Sequence, residues 1–444
     1  MDIKELGKIL QENGIVGAGG AGFPTYAKLD ERAETILLNC AECEPLLKLH
    51  RQLLEKYAYE ITKTFQLFAD ILDAKEAIIC VKKEYKETIA ALAQCVDQFP
   101  KVRVHLLEGV YPMGDEVVMI YEATKKVVRP GGLPIETGVA VFNVETIYNA
   151  YLALENQHPV TDKVVSVVAE VSNPITVRVP IGCTIQDVVN QAGVTTIKDP
   201  VYFVGGPMMG NINSGDDPVT KTTNAILVLP QDHLLVERKR AKSSISLKRA
   251  ASICCQCELC TDMCPRNMLG HPIEPHKFMR SAPNQNFNDT DVYLNSMFCC
   301  SCGVCELYAC PQGLAPRTLL TEYKTGLRKA GVKIPANPVQ KPVVDRIREF
   351  RKVPEERLEA RLDLKKYNKA APLYDEVVPM NTVKLRLSQH IGAPATAIVS
   401  VGDKVELGQM VAKPSNGLSV AIHASIAGEV TEVTDQYVKI QKMN

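Results

Sequence analysis

Apolar and polar positions alternate with helical spacing from the first residue. MDIKELGKILQENG predicts an amphipathic helix. Apolar, β-rich runs follow at Thr35–Leu38, Ala77–Val81 and Val102–Leu107, separated by helix-patterned stretches such as Glu84–Val96. That order predicts an α/β domain with a largely parallel sheet over residues 1–160. Pro130-Gly131-Gly132 supplies a turn signal. Between 161 and 235 the pattern changes to short β runs, KVVSVVAEV, TVRVP and AILVLP, with one helix expected at Ile185–Ala192 and a turn at Gly205-Gly206-Pro207. This predicts a small α+β domain. Lys324–Lys369 is punctuated by proline and carries more basic than acidic residues. It is expected to be helix plus a solvated linker, assigned to 326–375. Docking to an acidic electron carrier or an acidic membrane surface is the alternative. From 376 to 444 the chain returns to short strands with Gly-Asp and Asn-Gly turns, a small β domain.

Composition narrows the classes. The 444 residues suggest about three domains at ~150 residues each. Lys+Arg and Asp+Glu both number 51, so no net field attracts nucleic acid, and no nucleic-acid partner is expected. No apolar run approaches the ~20 residues that span a bilayer. No transmembrane segment is expected, and the first helix does not read as a signal peptide. The expected location is the cytoplasm, at most peripheral to a membrane.

The cysteines set the chemistry. There are 15, ten of them in two short clusters within 245–325. The first run is Cys254-x2-Cys257-x2-Cys260-x3-Cys264-Pro265, the bacterial ferredoxin spacing. The second is Cys299-x2-Cys302-x2-Cys305-x4-Cys310-Pro311, one residue longer before its last cysteine. In two-cluster ferredoxins the fourth cysteine of each run serves the other cluster. Cys254, Cys257, Cys260 and Cys310 are therefore assigned to one [4Fe–4S] cluster, and Cys299, Cys302, Cys305 and Cys264 to the other. A pair of zinc sites is the alternative, although zinc usually pairs two C-x2-C knuckles. Cys255 and Cys300 are surplus and are expected to be small buried residues beside the clusters. His271 and His276 are expected to be loop residues, with ligation of a corrinoid or a cluster as the alternative.

Gly14-Ile15-Val16-Gly17-Ala18-Gly19-Gly20-Ala21-Gly22-Phe23-Pro24-Thr25 follows the first helix. Glycines let an anion approach the backbone, a following helix N-terminus would add partial positive charge, and Lys28 would neutralise a phosphate. A flavin phosphate, a dinucleotide or a plain tight turn all fit this loop.

GAGGAGFPT with Lys28, then Asn39-x2-Glu42-x-Glu44-Pro45, resembles the flavin region of the NADH-oxidising (51 kDa) subunit of respiratory complex I. It resembles still more the C subunit of the Rnf electron-transport complex. Tyr111-Pro112-x-Gly114-Asp115-Glu116, Gly131-Gly132-Leu133-Pro134 and Asn143-Val144-Glu145-Thr146 match the same family. Val401-Gly402-Asp403-Lys404-Val405-x2-Gly408-Gln409 matches its barrel-sandwich domain, which stands first in Rnf C subunits and last here. That order, the GHPIEPH run at 270–276 and the x4 spacing are similar to the cobalamin reductases of propanediol-utilisation microcompartments.

The resemblance implies a multidomain α/β chain: a Rossmann-like FMN-binding domain, a β-grasp (soluble-ligand-binding) domain, a two-cluster ferredoxin-like α-helical module and a C-terminal barrel-sandwich domain. It implies that Gly17, Gly19, Gly20 and Lys28 contact the FMN phosphate. Asn39, Glu42 and Asn143, assisted by Thr146, would bond ribityl or ring atoms. Glu44, Gly114 and Glu116 would lie near NADH. Complex I subunits differ at Ala41, where they carry an acid, and near Ala18, where they carry an arginine. Cys40 and Cys43 are expected to pack rather than to form a disulfide. Asn416-Gly417-Leu418-Ser419 stands where carrier domains place a lysine, so no biotin or lipoate is expected and the domain would serve assembly.

The implied activity is electron transfer from NADH through FMN and two [4Fe–4S] clusters to cobalamin, with the β-grasp domain as the expected corrinoid dock. The implied partners are a corrinoid, a corrinoid adenosyltransferase or another redox protein, with a bacterial microcompartment as the implied setting and an oligomer compatible with it. The alternative activity is an Rnf C-type subunit feeding a ferredoxin, flavodoxin or membrane complex. A scaffold with structural clusters and a dead flavin site is the third reading.

Overall fold

The chain's structure, a computed structural model, describes residues 1–334 and 342–443. Its first sheet follows from the apolar runs. Strands β1 (Thr35–Cys40), β2 (Glu76–Lys82) and β3 (Val102–Leu107) are followed by a two-residue strand β4 (Val110–Tyr111) and by β5 (Val139–Asn143). Four of them form a parallel sheet in the order β3-β2-β1-β5. Period-two alternation sends Ile36, Leu38, Ile79 and Phe142 into one core and Leu37, Ile78, Cys80 and Val141 into the other. Helices α1 (Ile3–Glu12), α2 (Leu49–Lys56), α3 (Ala58–Ile71), α4 (Lys86–Ala93), α5 (Glu116–Thr124) and α6 (Val144–Asn156) surround it. The core holding Leu37 and Ile78 is closed by Val117–Ile120 of α5, the other by α1, α2, α3 and α6. Asp2 and Glu5 form a capping box on α1. The helix expected to run to Val96 stops at Ala93, and the chain leaves through a 3-10 turn at Val96–Gln98, with Phe99 extended before Pro100. The strand order reverses between β1 and β5. In open α/β sheets the crevice at such a switch point, beyond the strand C-termini, is where ligands bind.

The second sheet comprises β6 (Asp162–Ala169), β7 (Ile175–Pro180), β8 (Val201–Val204), β9 (Asn211–Asn213) and β10 (Ala225–Leu229), crossed by α7 (Ile185–Gln191). Then come the helices of the cysteine module: α8 (Leu234–Arg240), α9 (Ser243–Ile253), α10 (Leu259–Asp262), α11 (Pro275–Ser281), α12 (Asp291–Leu294) and α13 (Pro316–Lys329). Ala250, Phe278, Leu314, Leu319 and Leu320 form its small core.

The expected solvated linker is corrected by the structure. Residues 335–341 of that stretch lie outside the described residues. Beyond them, β11 (Val353–Pro354) pairs with β4, and α14 (Glu355–Arg361) buries Leu358. Leu362, Leu364 and Tyr367 join the main core. β12 (Leu373–Val377) then adds to the second sheet in parallel with β7, giving the order β12-β7-β6-β10-β8-β9. Charge misled the reading because the basic residues are paired inside: buried Arg348 lies 2.6 Å from Glu122, and Lys352 bonds Glu108 and Glu349.

The last strands are β13 (Thr382–Arg386), β14 (Thr396–Ala397), β15 (Lys404–Val405), β16 (Met410–Lys413), β17 (Ile422–His423), β18 (Gly428–Val433) and β19 (Tyr437–Gln441). They form two sheets, β13-β19-β18-β15 and β14-β16-β17. The Asn416–Ser419 turn is docked: Tyr26 Oη donates to Gly417 O at 3.3 Å and Gln11 Nε2 to Ser419 O at 3.0 Å. A carrier hairpin must swing, and this one is held against the first domain. Buried Lys221 donates to Gly14 O and Ala421 O, joining three domains.

Candidate cofactor sites

The glycine loop and the C-terminal ends of β1 and β5 enclose a cleft at the switch point. It measures about 620 Å³ with its open mouth included. Gly17, Gly19, Gly20, Lys28, Asn39, Gly114, Glu116, Asn143 and Thr146 all line it. A Cβ on Gly19 would sit 2.5 Å from Asn143 Nδ2, and one on Gly114 would sit 2.9 Å from Ala41 O, so both positions need glycine. The helix facing the glycine loop is not the one after it, where only a 3-10 turn (Thr25–Lys28) forms. It is α6, a 13-residue helix capped by Asn143, whose Oδ1 accepts from Glu145 N. Ala18 N donates to Thr146 Oγ1 at 3.0 Å, and Thr146 Oγ1 donates to Val16 O. Lys28 Nζ lies 2.6 Å from Glu116 Oε1.

These features fit a phosphate-bearing ligand: approachable backbone, a helix N-terminus and a cation. One further residue belongs with them. Thr25 Oγ1 is buried, lines the cleft and has no partner within the protein. The Phe23-Pro24-Thr25 motif contained it, yet nothing in sequence marks that hydroxyl as inward-facing.

Glu42 and Glu44 are not in this cleft. Buried Glu42 accepts from His50 N (2.9 Å) and Arg51 N (3.1 Å), holding the first turn of α2. His50 in turn packs between Glu42, Glu145 and Asn143 behind the cleft floor. Glu44 reaches the second domain, where its Oε2 accepts from Met208 N at 2.8 Å and its buried Oε1 has no partner. Burial pushes its carboxyl up to about 7, although the Met208 amide opposes the shift. Both acids act by positioning backbone. Cys40 is a core residue, and Cys43 Sγ accepts from Gly114 N at 3.2 Å.

The cysteines gather into two sets. Cys260 is pushed up to about 12 by burial and then by Cys310, Cys254 and Cys257 beside it. These four, with Cys255, line an open cleft of about 370 Å³. In the other set, burial and then the adjacent Cys299 and Cys264 hold Cys305 far above the usual thiol range. Cys302 neighbours Cys264 and Cys305. Among the described residues, no three His, Cys, Asp or Glu side chains close on a single metal ion. Crowded thiols that raise one another's pKa are a poor structural device by themselves. They suit a polynuclear group that binds thiolate.

Both runs use one backbone design. Gln256 and Glu258 in the first, and Ser301 and Gly303 in the second, adopt positive φ at matching positions (53°, 64°, 59° and 83°). Cys260 then sits in the α-turn of α10, whereas Cys305 sits in a π-helical stretch, Val304–Ala309. The wider turn absorbs the extra residue before Cys310. Buried Glu306 in that turn accepts from Thr318 N and Oγ1.

The surplus cysteines part company. Cys255 is exposed, contrary to expectation, because the first run faces solvent. Cys300 is half-buried against Cys302 and Arg266. His271 Nε2 lies 3.0 Å from Val128 O, and His276 Nδ1 lies 2.7 Å from Thr261 Oγ1. His271 is a structural loop residue, whereas His276, expected in a loop, stands in the first turn of α11.

The two sites are joined by Tyr111–Glu116. Tyr111 Oη donates to Cys302 O at 2.7 Å. Gly114 and Glu116 line the first cleft, and Asp115 pairs with Arg266 at 2.7 Å.

A family model described as the Nuo51 FMN-binding domain matches residues 10–152. A 4Fe-4S dicluster domain matches 253–315, and the RnfC barrel sandwich hybrid domain matches 362–444. Among solved structures, the NAD+-reducing [NiFe]-hydrogenase in its air-oxidised state aligns with a TM-score of 0.51 at 19% identity, over 82% of this chain and 66% of that one. At that identity the likeness speaks to the fold alone. The curated relative cobalamin reductase PduS of Salmonella typhimurium (strain LT2) is 40% identical over 440 residues, 98% of this chain and 96% of the relative. That of Citrobacter freundii is 39% identical over 443 residues, covering 99% and 97%. With the flavin-type cleft, the two cysteine sets and the C-terminal barrel sandwich in the same order along nearly the whole length, the chain belongs to the PduS cobalamin reductase family.

Proposed function

We propose that this chain is a flavin and iron–sulfur oxidoreductase that takes electrons from NADH, through FMN and two [4Fe–4S] clusters, to a corrinoid. The observation that carries the reading is spatial order. The cleft touches the Cys264, Cys299, Cys302 and Cys305 set through Tyr111–Glu116, and the Cys254, Cys257, Cys260 and Cys310 set lies beyond it, open to solvent.

FMN supplies the exchange between two-electron and one-electron chemistry, and the clusters supply one-electron carriage. The protein's part is to hold and order them. Gly17, Gly19, Gly20 and Lys28 hold the phosphate against the α6 N-terminus. Thr25, Asn39, Asn143 and Thr146 bond the ribityl chain and ring. Glu116 holds Lys28 in place, and with Gly114 it borders the nicotinamide. Glu42 supports these groups from behind through His50, and Glu44 ties the first domain to the second. The acceptor approaches the open face around Cys255, Cys257 and Gln312, where the thiols are reached from solvent. That acceptor is the corrinoid itself, or one carried by an adenosyltransferase or another redox protein. Among the described residues no helix is long and apolar enough to cross a membrane. A cytoplasmic setting inside a bacterial microcompartment is part of the same proposal.

The test is anaerobic. Reconstituted protein is expected to hold about eight irons per chain by motif count, to bleach on NADH once FMN is bound, and then to reduce added aquacobalamin faster than free flavin does. Clusters that stay oxidised with NADH and FMN would remove the NADH site. Clusters that bleach but leave aquacobalamin at the free-flavin rate would favour a protein acceptor such as ferredoxin or flavodoxin.

A further inference from the structure

Arg266 contacts the Tyr111–Glu116 segment that joins the two cofactor sites. It follows Cys264-Pro265 and is half-buried at the contact between the cysteine module and the first domain. Its Nη2 donates to Asp115 Oδ2 at 2.7 Å. Asp115 Oδ1 in turn accepts from Val117 N and Val118 N, capping α5 between the cleft residues Gly114 and Glu116. On the other side, Arg266 lies within electrostatic reach of Cys300 and Cys302. Its Nε is buried and has no acceptor within the protein. A guanidinium whose Nε–H is buried and left over, next to a set of thiols, is a costly arrangement unless something electron-rich accepts from it.

We propose that Arg266 is a positioning residue that raises the reduction potential of the cluster held by Cys264, Cys299, Cys302 and Cys305, and that Asp115 limits the rise. This rests on the cluster reading above. A cation beside a cluster stabilises its reduced, more negative state, and hydrogen bonds to its sulfur act in the same direction. At the other set the side-chain donor to a thiol is neutral: Gln256 Nε2 donates to Cys254 Sγ at 3.1 Å. Glu258 and His276 stand there, the face is open to water, and water screens charge. The two clusters of one ferredoxin-like module are therefore made unequal. The inner one is fitted to draw electrons from the cleft, and the outer one to lose them to an acceptor.

The test is potentiometric EPR of the reconstituted full chain. Cys257→Ser and Cys302→Ser assign the two signals. Arg266→Gln is expected to lower the midpoint of the inner cluster alone, by at least about a tenfold change in its redox equilibrium, 59 mV for one electron. Asp115→Asn keeps a good helix cap but removes the opposing charge, and is expected to move the same midpoint upward. A merely structural contact would not give shifts of opposite sign. The inference is overturned if both variants keep about eight irons by motif count and both midpoints stay put, or if the outer cluster shifts as much as the inner. If Cys302→Ser loses no iron, the cluster reading itself fails, and the inference falls with it for that separate reason.

Discussion

Cys254–Cys260 and Cys299–Cys305 follow the same backbone turns, yet Cys257 is exposed and Cys302 is buried. The motif fixes how three thiols wrap a cube. It says nothing of what the cube then faces. The first run looks out past Cys255 and Gln312. The second is closed by Tyr111 from one side and by Lys324, which donates to Cys299 O, from another. Neighbouring domains, not ligands, separate an entrance from an exit.

The largest effect should come from removing one ligand on each side. Cys302→Ser and Cys257→Ser should each cut iron from about eight to about four per chain by motif count. Cys302→Ser should also stop NADH from reducing the remaining cluster. Cys257→Ser should leave the inner cluster reducible by NADH and abolish aquacobalamin reduction. EPR of NADH-treated samples checks both, and equal behaviour of the two variants would break the comparison.

Solvent access should divide the wild type next. Under air or a chelator, iron should leave in two phases of equal size, with the outer set first. Cys257→Ser should lack the fast phase. A single phase in the wild type would mean that the burial difference has no chemical consequence.

A smaller effect is expected at the hinge between the sites. Tyr111→Phe leaves Cys302 O without its donor, a loss of about 1–3 kcal/mol. It should shift the urea midpoint downward and slow reduction of the inner cluster without changing iron content.

The smallest effect is a pH slope on the buried side. Glu44 has its carboxyl pushed up to about 7 by burial. Between the ordinary carboxylate range and pH 7 the folded protein keeps that proton while the unfolded chain has lost it. Stability should therefore fall as pH rises through that window and level off above it. Glu44→Gln should flatten the slope in a series of melts from pH 5 to 8.

Much of the site was legible because its residues are local. The glycine loop, Asn143-x2-Thr146 and Tyr111–Glu116 are short motifs, and their glycines and caps work within one turn. What stayed hidden depended on distant partners. Thr25 faces inward only because the loop folds over β5. Glu42 and Glu44 lie on the same short run as Asn39, but the chain leaves β1 there and carries them past the cleft. The 342–377 segment looked solvated because its charges are numerous, whereas Arg348 and Lys352 meet acids brought from α5 and its surroundings.

The sequence by itself carried most strands and helices and the two cysteine runs, since spacing of 2 or 3.6 residues and ligand spacing are local properties, while most of the cleft residues were read from motifs that resemble a known family. The tertiary structure alone decided that α6 rather than the next helix faces the glycine loop, that β12 completes the second sheet, and that one cysteine set is sealed while its twin is open. Those outcomes are set by which surfaces pack together, and burial is a property of the neighbours a segment acquires, not of the segment.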